Sequence, residues 1–215
     1  MTRIVSSGLL CFLLLITPLA QAKKKHPKPP AEFDYYLLSL SWAPNFCASH
    51  PSDHSSECAV GNHSAFVLHG LWPQSNSGPP PMSCAPASPV AKNITDHMLQ
   101  FMPTRNLIQH EWEKHGTCSG LSSSDYFARV EQAFKSVQVP PQYPDLKQEQ
   151  KFSVSEVESS FASQNHAPEN AFRISCHGGD LVGLEVCLNK ELEFQACTKT
   201  VRECPSDQVL LRPTK

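Results

Sequence analysis

The sequence predicts an α+β fold in a single domain. Short alternating strands are mixed with helical-period segments, without the regular βαβ succession of a parallel sheet. No internal repeat and no second-domain boundary interrupts the 215 residues. Of the nine cysteines, eight remain once the apolar amino terminus is set aside, and an even number in a short exported chain reads as a disulfide framework.

At the amino terminus, Arg3 precedes an apolar run from Leu9 to Ala20 that ends in Ala20-Gln21-Ala22. This anatomy predicts a signal peptide at residues 1–22, taking Cys11 with it, and no later stretch is long and apolar enough to span a membrane. The mature protein is therefore expected to be exported, to a periplasm or to the extracellular medium. Residues 23–32 are rich in lysine and proline and read as a flexible tail ahead of a domain over 33–215. A formal net charge of −2 excludes a general polyanion binder, so any recognition of nucleic acid must be local.

From Phe33 to Trp42 the residues alternate, with Tyr36, Leu38, Leu40 and Trp42 on one side, which suits a strand. Cys47 to Gly61 reads as a disulfide-stapled loop, and Ala65 to Leu68 as a short strand ending at His69. Ser75 to Pro81 is a loop. Ser88-Pro89 offers a cap and a first-turn proline for a helix to about Phe101, stopped by Pro103. Phe127, Val130, Phe134 and Val137 mark a helix over 125–137. Ser153 and Glu156 have capping-box spacing ahead of Val157 and Phe161. The remainder predicts strands at 172–176, 181–188 and 192–197, with turns at Gly178-Gly179-Asp180 and Asn189-Lys190.

Two segments carry chemistry. The first is His69-Gly70-Leu71-Trp72-Pro73; the second, His110-Glu111-Trp112-Glu113-Lys114-His115, runs into Gly-Thr-Cys. On a helix, steps of about 100° per residue gather His110, Glu111, Lys114 and His115 within roughly 140° and leave Trp112 and Glu113 outside. Taken alone, such a run is also what a solvated, salt-laced helix surface looks like. A histidine on a strand and another on a helix together form an acid/base pair, because imidazole holds either protonation state near neutrality. Cleavage of RNA needs that division: the 2′-hydroxyl loses a proton as it attacks phosphorus, and the departing 5′-oxygen gains one. Lys114 and His110 can offset charge on the nonbridging oxygens. Glu111 must be protonated, or must act by orienting a neighbour, to sit near phosphate.

Phe66-Val67-Leu68-His69-Gly70-Leu71-Trp72-Pro73 and His110 through Cys118 together resemble the two active-site segments of the ribonuclease T2 family, in the same order. The resemblance implies a central, mainly antiparallel sheet flanked by helices. It implies His115 as general base, His69 as general acid, and His110, Glu111 and Lys114 around the phosphate, with Trp72 on the substrate side; Gln74, which follows Pro73 where family members vary, is read as a further substrate-side residue. The implied substrate is single-stranded RNA, cut through a 2′,3′-cyclic phosphate to a 3′-phosphate by a monomer that requires no metal or cofactor. DNA lacks the attacking hydroxyl and is expected to resist. The family's cysteine pattern implies the pairs Cys47-Cys58, Cys84-Cys118, Cys176-Cys204 and Cys187-Cys197.

Three rival readings are weaker. Zinc binding by the cysteines lacks a Cys-x-x-Cys pair. A zinc-hydrolase helix needs histidines four apart, whereas His110 and His115 are five apart. A non-enzymatic secreted module would be marked by loss of an active-site histidine, and none is missing. The other histidines, His50, His54, His63, His97, His166 and His177, read as loop or surface residues.

Overall fold

The computed structural model describes residues 32–62 and 64–214, so the expected leader, nearly all of the basic tail and His63 lie outside the described residues. A single six-stranded sheet runs in the order β2-β1-β5-β6-β3, with β4 also paired to β5. All strand pairs are antiparallel except one parallel bridge, from Asp180 of β5 to Leu210 of β6. Helices flank this mainly antiparallel sheet.

Strand β1 (Tyr35–Trp42) lies inside the sheet, between β2 (Phe66–Gln74) and β5 (Asp180–Leu188). Its even-numbered residues Tyr36, Leu38, Leu40 and Trp42 are buried in the main core. Tyr35 and Leu37 on the opposite face are buried too, against Cys187 and Val201. The sheet is thus covered on both faces here, which the alternation of apolar and polar residues does not reveal.

Strand β2 runs on to Gln74 and does not end at His69. It forms the edge of the sheet, where a glycine and a proline cost little because one side makes no ladder. Ser39 pairs with Gly70 and Leu40 with Leu68, which leaves His69 as the extra residue of a β-bulge.

Helix α1 (Ala43–Ser49) replaces the first part of the expected loop, with Pro44 in its first turn, where a missing N–H costs nothing. Helix α2 (Lys92–Met98) begins three residues later than the Ser88-Pro89 signal suggests. The amide of Val90 donates to Oε1 of Gln109 at 2.8 Å, and this tie keeps the segment extended. Helix α3 (Arg105–Lys114) is capped by Thr104, whose hydroxyl accepts from the Leu107 amide. Helix α4 (Ser123–Ser136) buries Tyr126, Phe127 and Val130, and Ser122 caps it. Strand β3 (Gln150–Ser153) leads into α5 (Val154–Gln164), where Ser153 accepts from the Glu156 amide as its spacing predicts.

Strand β4 (Phe172–His177) turns into β5 through Gly178 and Gly179, both at positive φ, a tight hairpin that side chains with a Cβ resist. The expected strand at 192–197 is reduced to one bridge, Leu188 to Phe194. The Asn189 side chain accepts from the amides of Glu191 and Glu193 and bends the chain, and the Cys197 amide goes to the Asn170 carbonyl. Strands β3 and β6 (Gln208–Leu211), four residues each, have no comparable signal in the sequence.

The disulfides join Cys47 to Cys58, Cys84 to Cys118, Cys176 to Cys204 and Cys187 to Cys197, the partners implied by the family resemblance. Among the described residues no helix is long and apolar enough to cross a membrane.

Candidate active site

The bulge in β2 decides which side chains share a face. Residues three apart on a regular strand point to opposite sides. With His69 as the extra residue, Leu68 and Leu71 are both fully buried in the core, while His69 and Trp72 both line a surface cleft. The Tyr126 hydroxyl, itself buried, donates to the Leu71 carbonyl at 2.9 Å and holds β2 against α4. A net contribution of about 1 kcal/mol is typical of such a bond.

Helix α3 supplies the facing wall. Glu111 points inward and is 1% exposed, His110 is exposed at the rim, and Lys114 lies between. His115 terminates the helix, and its amide donates to the Glu111 carbonyl. Trp112 packs against Tyr126, with ring centroids 5.9 Å apart, and exposed Glu113 accepts from the Gln109 side chain. The helical arc read from the sequence therefore separates the residues as they are found. His69, Trp72, Gln74, His110, Glu111, Lys114 and His115 all line one cleft of 340 Å³.

Inside the cleft the contacts are short and polar. Trp72 donates its indole N–H to Oε2 of Glu111 at 2.7 Å, and Oε1 lies 3.6 Å from Nε2 of His69. The Trp72 ring stacks on His115 at 5.0 Å and meets His69 edge-on at 5.8 Å. One indole face is thus occupied by His115, so Trp72 contacts His69, Glu111 and His115 as well as bordering the cleft. Gln74 is buried at the end of β2, where its carbonyl accepts from the Asp34 amide.

Burial drives the proton affinities. It pushes the Glu111 carboxyl up to about 7, against the opposing pull of the Trp72 hydrogen bond and the Lys114 charge. It pushes His115 down to about 3, helped by the positive charges of Lys114, His110 and His69. His69 is also lowered, by burial first and then by His110 and Lys114. Nδ1 of His115 is enclosed and makes no hydrogen bond, so Nε2 is the nitrogen left to exchange a proton with a bound molecule.

Other residues that shape the cleft are given no role by the sequence, although Gly70 stands within the first motif. Ser41 Oγ lies 3.3 Å from His69 Nδ1 and can fix the ring's orientation. Gly70 is required by space: a Cβ there would sit 1.9 Å from Glu111 Oε2. Glu185 and the segment Thr200 to Arg202 complete the wall, brought in from β5 and from the carboxy-terminal region. Only Ser41 and Gly70 stand near recognisable sequence; the others are found by folding alone.

The rim is fixed covalently. Cys84-Cys118 joins the loop bearing Pro80 and Met82 to the turn after α3, and the Ser83 amide donates to the Lys114 carbonyl at 2.8 Å.

Comparison with known proteins bears on the family and the fold. The family model described as Ribonuclease T2 family matches residues 33–197. The chain is 41% identical over 113 residues to a ribonuclease of Aeromonas hydrophila, covering 53% of this chain and 50% of that protein. It is 31% identical over 182 residues to a probable ribonuclease of Haemophilus influenzae, covering 78% and 62%. The chain therefore spans between half and two thirds of the length of these two curated relatives. Among solved structures, trichomaglin, described as an S-like ribonuclease, superposes with a TM-score of 0.69 at 23% identity, over 84% of this chain and 98% of that one, a likeness of fold. With the match extending from the strand before the first motif to well past the second, the chain belongs to the Ribonuclease T2 family.

Proposed function

We propose that the protein is an endoribonuclease of single-stranded RNA, acting by transphosphorylation without a metal. The observation that carries this reading is the convergence of two histidines of lowered proton affinity with His110, Glu111 and Lys114 in one cleft. Neutral His115 takes the proton of the ribose 2′-hydroxyl through Nε2 as the 2′-oxygen bonds to phosphorus. The P–O5′ bond breaks, and protonated His69 delivers its proton to the departing 5′-oxygen. The products are a 2′,3′-cyclic phosphate and a free 5′-hydroxyl. In the slower second step water attacks phosphorus with the histidine roles reversed, and the P–O2′ bond opens to a 3′-phosphate.

His110 and Lys114 offset the charge on the nonbridging oxygens. Glu111, with its affinity raised to about 7, is neutral in acid and then offers an O–H to phosphate in place of a repelling charge. Trp72 and Gln74 border the bound nucleotide. The same reading takes residues 1–22 as a removed leader, 23–32 as a tail and 33–215 as the catalytic domain of an exported monomer, periplasmic or extracellular; the four disulfides support export.

The test is digestion of defined dinucleoside phosphates with a chelator present, using the wild type, His69→Ala and His115→Ala. Cyclic products from the wild type and a loss of at least about a thousandfold in each variant are expected. Near-normal turnover in either variant, release of deoxyoligonucleotides from DNA, or activity that vanishes with chelator and returns with zinc would overturn the proposal.

A further inference from the structure

A second groove, 880 Å³ in volume, adjoins the catalytic cleft and shares His69, Trp72 and Glu185 with it. It is more than twice the size of the 340 Å³ cleft that holds the phosphate-binding groups. From Ser41, beside His69, it extends to α1. There Phe46 and His50 form a stacked pair, centroids 4.4 Å apart and planes 23° apart, pinned by a 2.9 Å bond between His50 Nδ1 and the Phe46 carbonyl. Asp53 and Glu57 line the same end.

The two clefts differ in charge. Lys114 and Arg202 border the smaller one, whereas no lysine or arginine is among the described residues lining the larger. A groove with carboxyls and no permanent cation is a poor seat for phosphate. It suits a nucleobase, since aromatic rings supply a stacking face and carboxyl oxygens accept from exocyclic amino groups. Glu57 lines that end of the groove; its Oε2 is enclosed without a hydrogen-bond partner, so contact with a base falls to the other carboxyl oxygen. Burial, followed by the charge of Asp53, raises its affinity to about 7.

The ribonuclease reading, on which this inference rests, makes His69 the acid toward the leaving 5′-oxygen. A groove that starts at His69 therefore continues along the strand on the 3′ side of the cut. We propose that its α1 end is a subsite for a base beyond the leaving nucleoside, stacked on the Phe46-His50 pair with its amino edge toward Glu57. The substrate is then an RNA strand extending past the cleaved dinucleotide, with an amino-bearing base favoured over uracil at that place.

The experiment compares a dinucleoside phosphate with the same substrate lengthened by one 3′ nucleotide, adenosine or uridine. A 2′-deoxyribose in the second nucleoside confines cleavage to the first bond. In the wild type, adenosine extension should raise kcat/KM about tenfold, the worth of one stacked base, and uridine extension less. His50→Ala, a change of an exposed side chain, and Phe46→Ala should bring the ratio of extended to unextended substrate close to one. Glu57→Gln should narrow the difference between adenosine and uridine, with melting temperatures reporting folding. An extension gain that is absent in the wild type, or unchanged in both ring variants, overturns the subsite while leaving the ribonuclease reading intact. A dinucleoside phosphate that is not cleaved at all instead overturns the ribonuclease reading.

Discussion

The indole N–H of Trp72 and the buried carboxyl of Glu111 are joined at 2.7 Å, linking the bulged strand to the helix that carries His115. The bond lowers the proton affinity of Glu111 while burial raises it, and burial wins. Trp72→Phe should therefore raise the Glu111 affinity further and reduce kcat/KM by about ten- to a hundredfold through misplacement of Glu111 and His115. Titration of the Glu111 carboxyl by carbon NMR, beside kinetics, checks both; an unchanged titration would show that the bond does not tune the group.

Glu111→Gln should reveal a pH-dependent stability. The affinity of Glu111 is about 7 in the folded protein against an ordinary value of 4.5, so its contribution to stability is complete below 4.5 and is lost as pH rises through 7. Above pH 7 the ionised carboxylate costs about 3 kcal/mol that an uncharged amide avoids. Denaturant unfolding should show the variant near wild type at pH 4 and more stable at pH 8. Equal differences at both pH values would remove burial as the cause.

The dependence of kcat/KM on pH should be a bell lying in acid. Its alkaline limb follows loss of the proton from His69, whose affinity lies below the ordinary 6.5, and its acid limb follows protonation of His115 near 3. Initial rates on a dinucleoside phosphate from pH 3 to 9 test this. A maximum above pH 7 would contradict the assignments.

Gly70→Ala should disable the site while sparing the fold's disulfide frame. The new Cβ would overlap Glu111 Oε2, which is pinned by Trp72 and has no exposed space to enter. Overpacking of this kind costs about 1–3 kcal/mol, and displacement of the carboxyl should reduce kcat/KM at least about tenfold. Near wild-type values of both stability and rate would mean that the carboxyl moves freely.

Replacing both Cys84 and Cys118 with alanine removes a cross-link spanning 34 residues. A loss of about 3–4 kcal/mol is expected from loop closure alone. The rate at temperatures where the variant stays folded should also fall, because the rim carrying Pro80 and Met82 is no longer tied to the end of α3. Unfolding curves and kcat measured below the midpoint separate the two effects.

The sequence by itself determined the α+β class, the helical arc of His110, Glu111, Lys114 and His115, and the exclusion of Trp112 and Glu113 from it. These follow from local periodicity and from residue chemistry, both written within a few positions of one another. Tertiary structure decided the rest. The β-bulge that turns His69 and Trp72 onto one face is set by pairing with β1, so a strand expected to end at His69 instead continues through it. The short strands β3 and β6 exist because each finds the other, not because four residues declare a period. Whether Glu111 is a repelling anion or a proton donor depends on the burial that β2 and Trp72 impose on it, and burial is a property of the assembled fold.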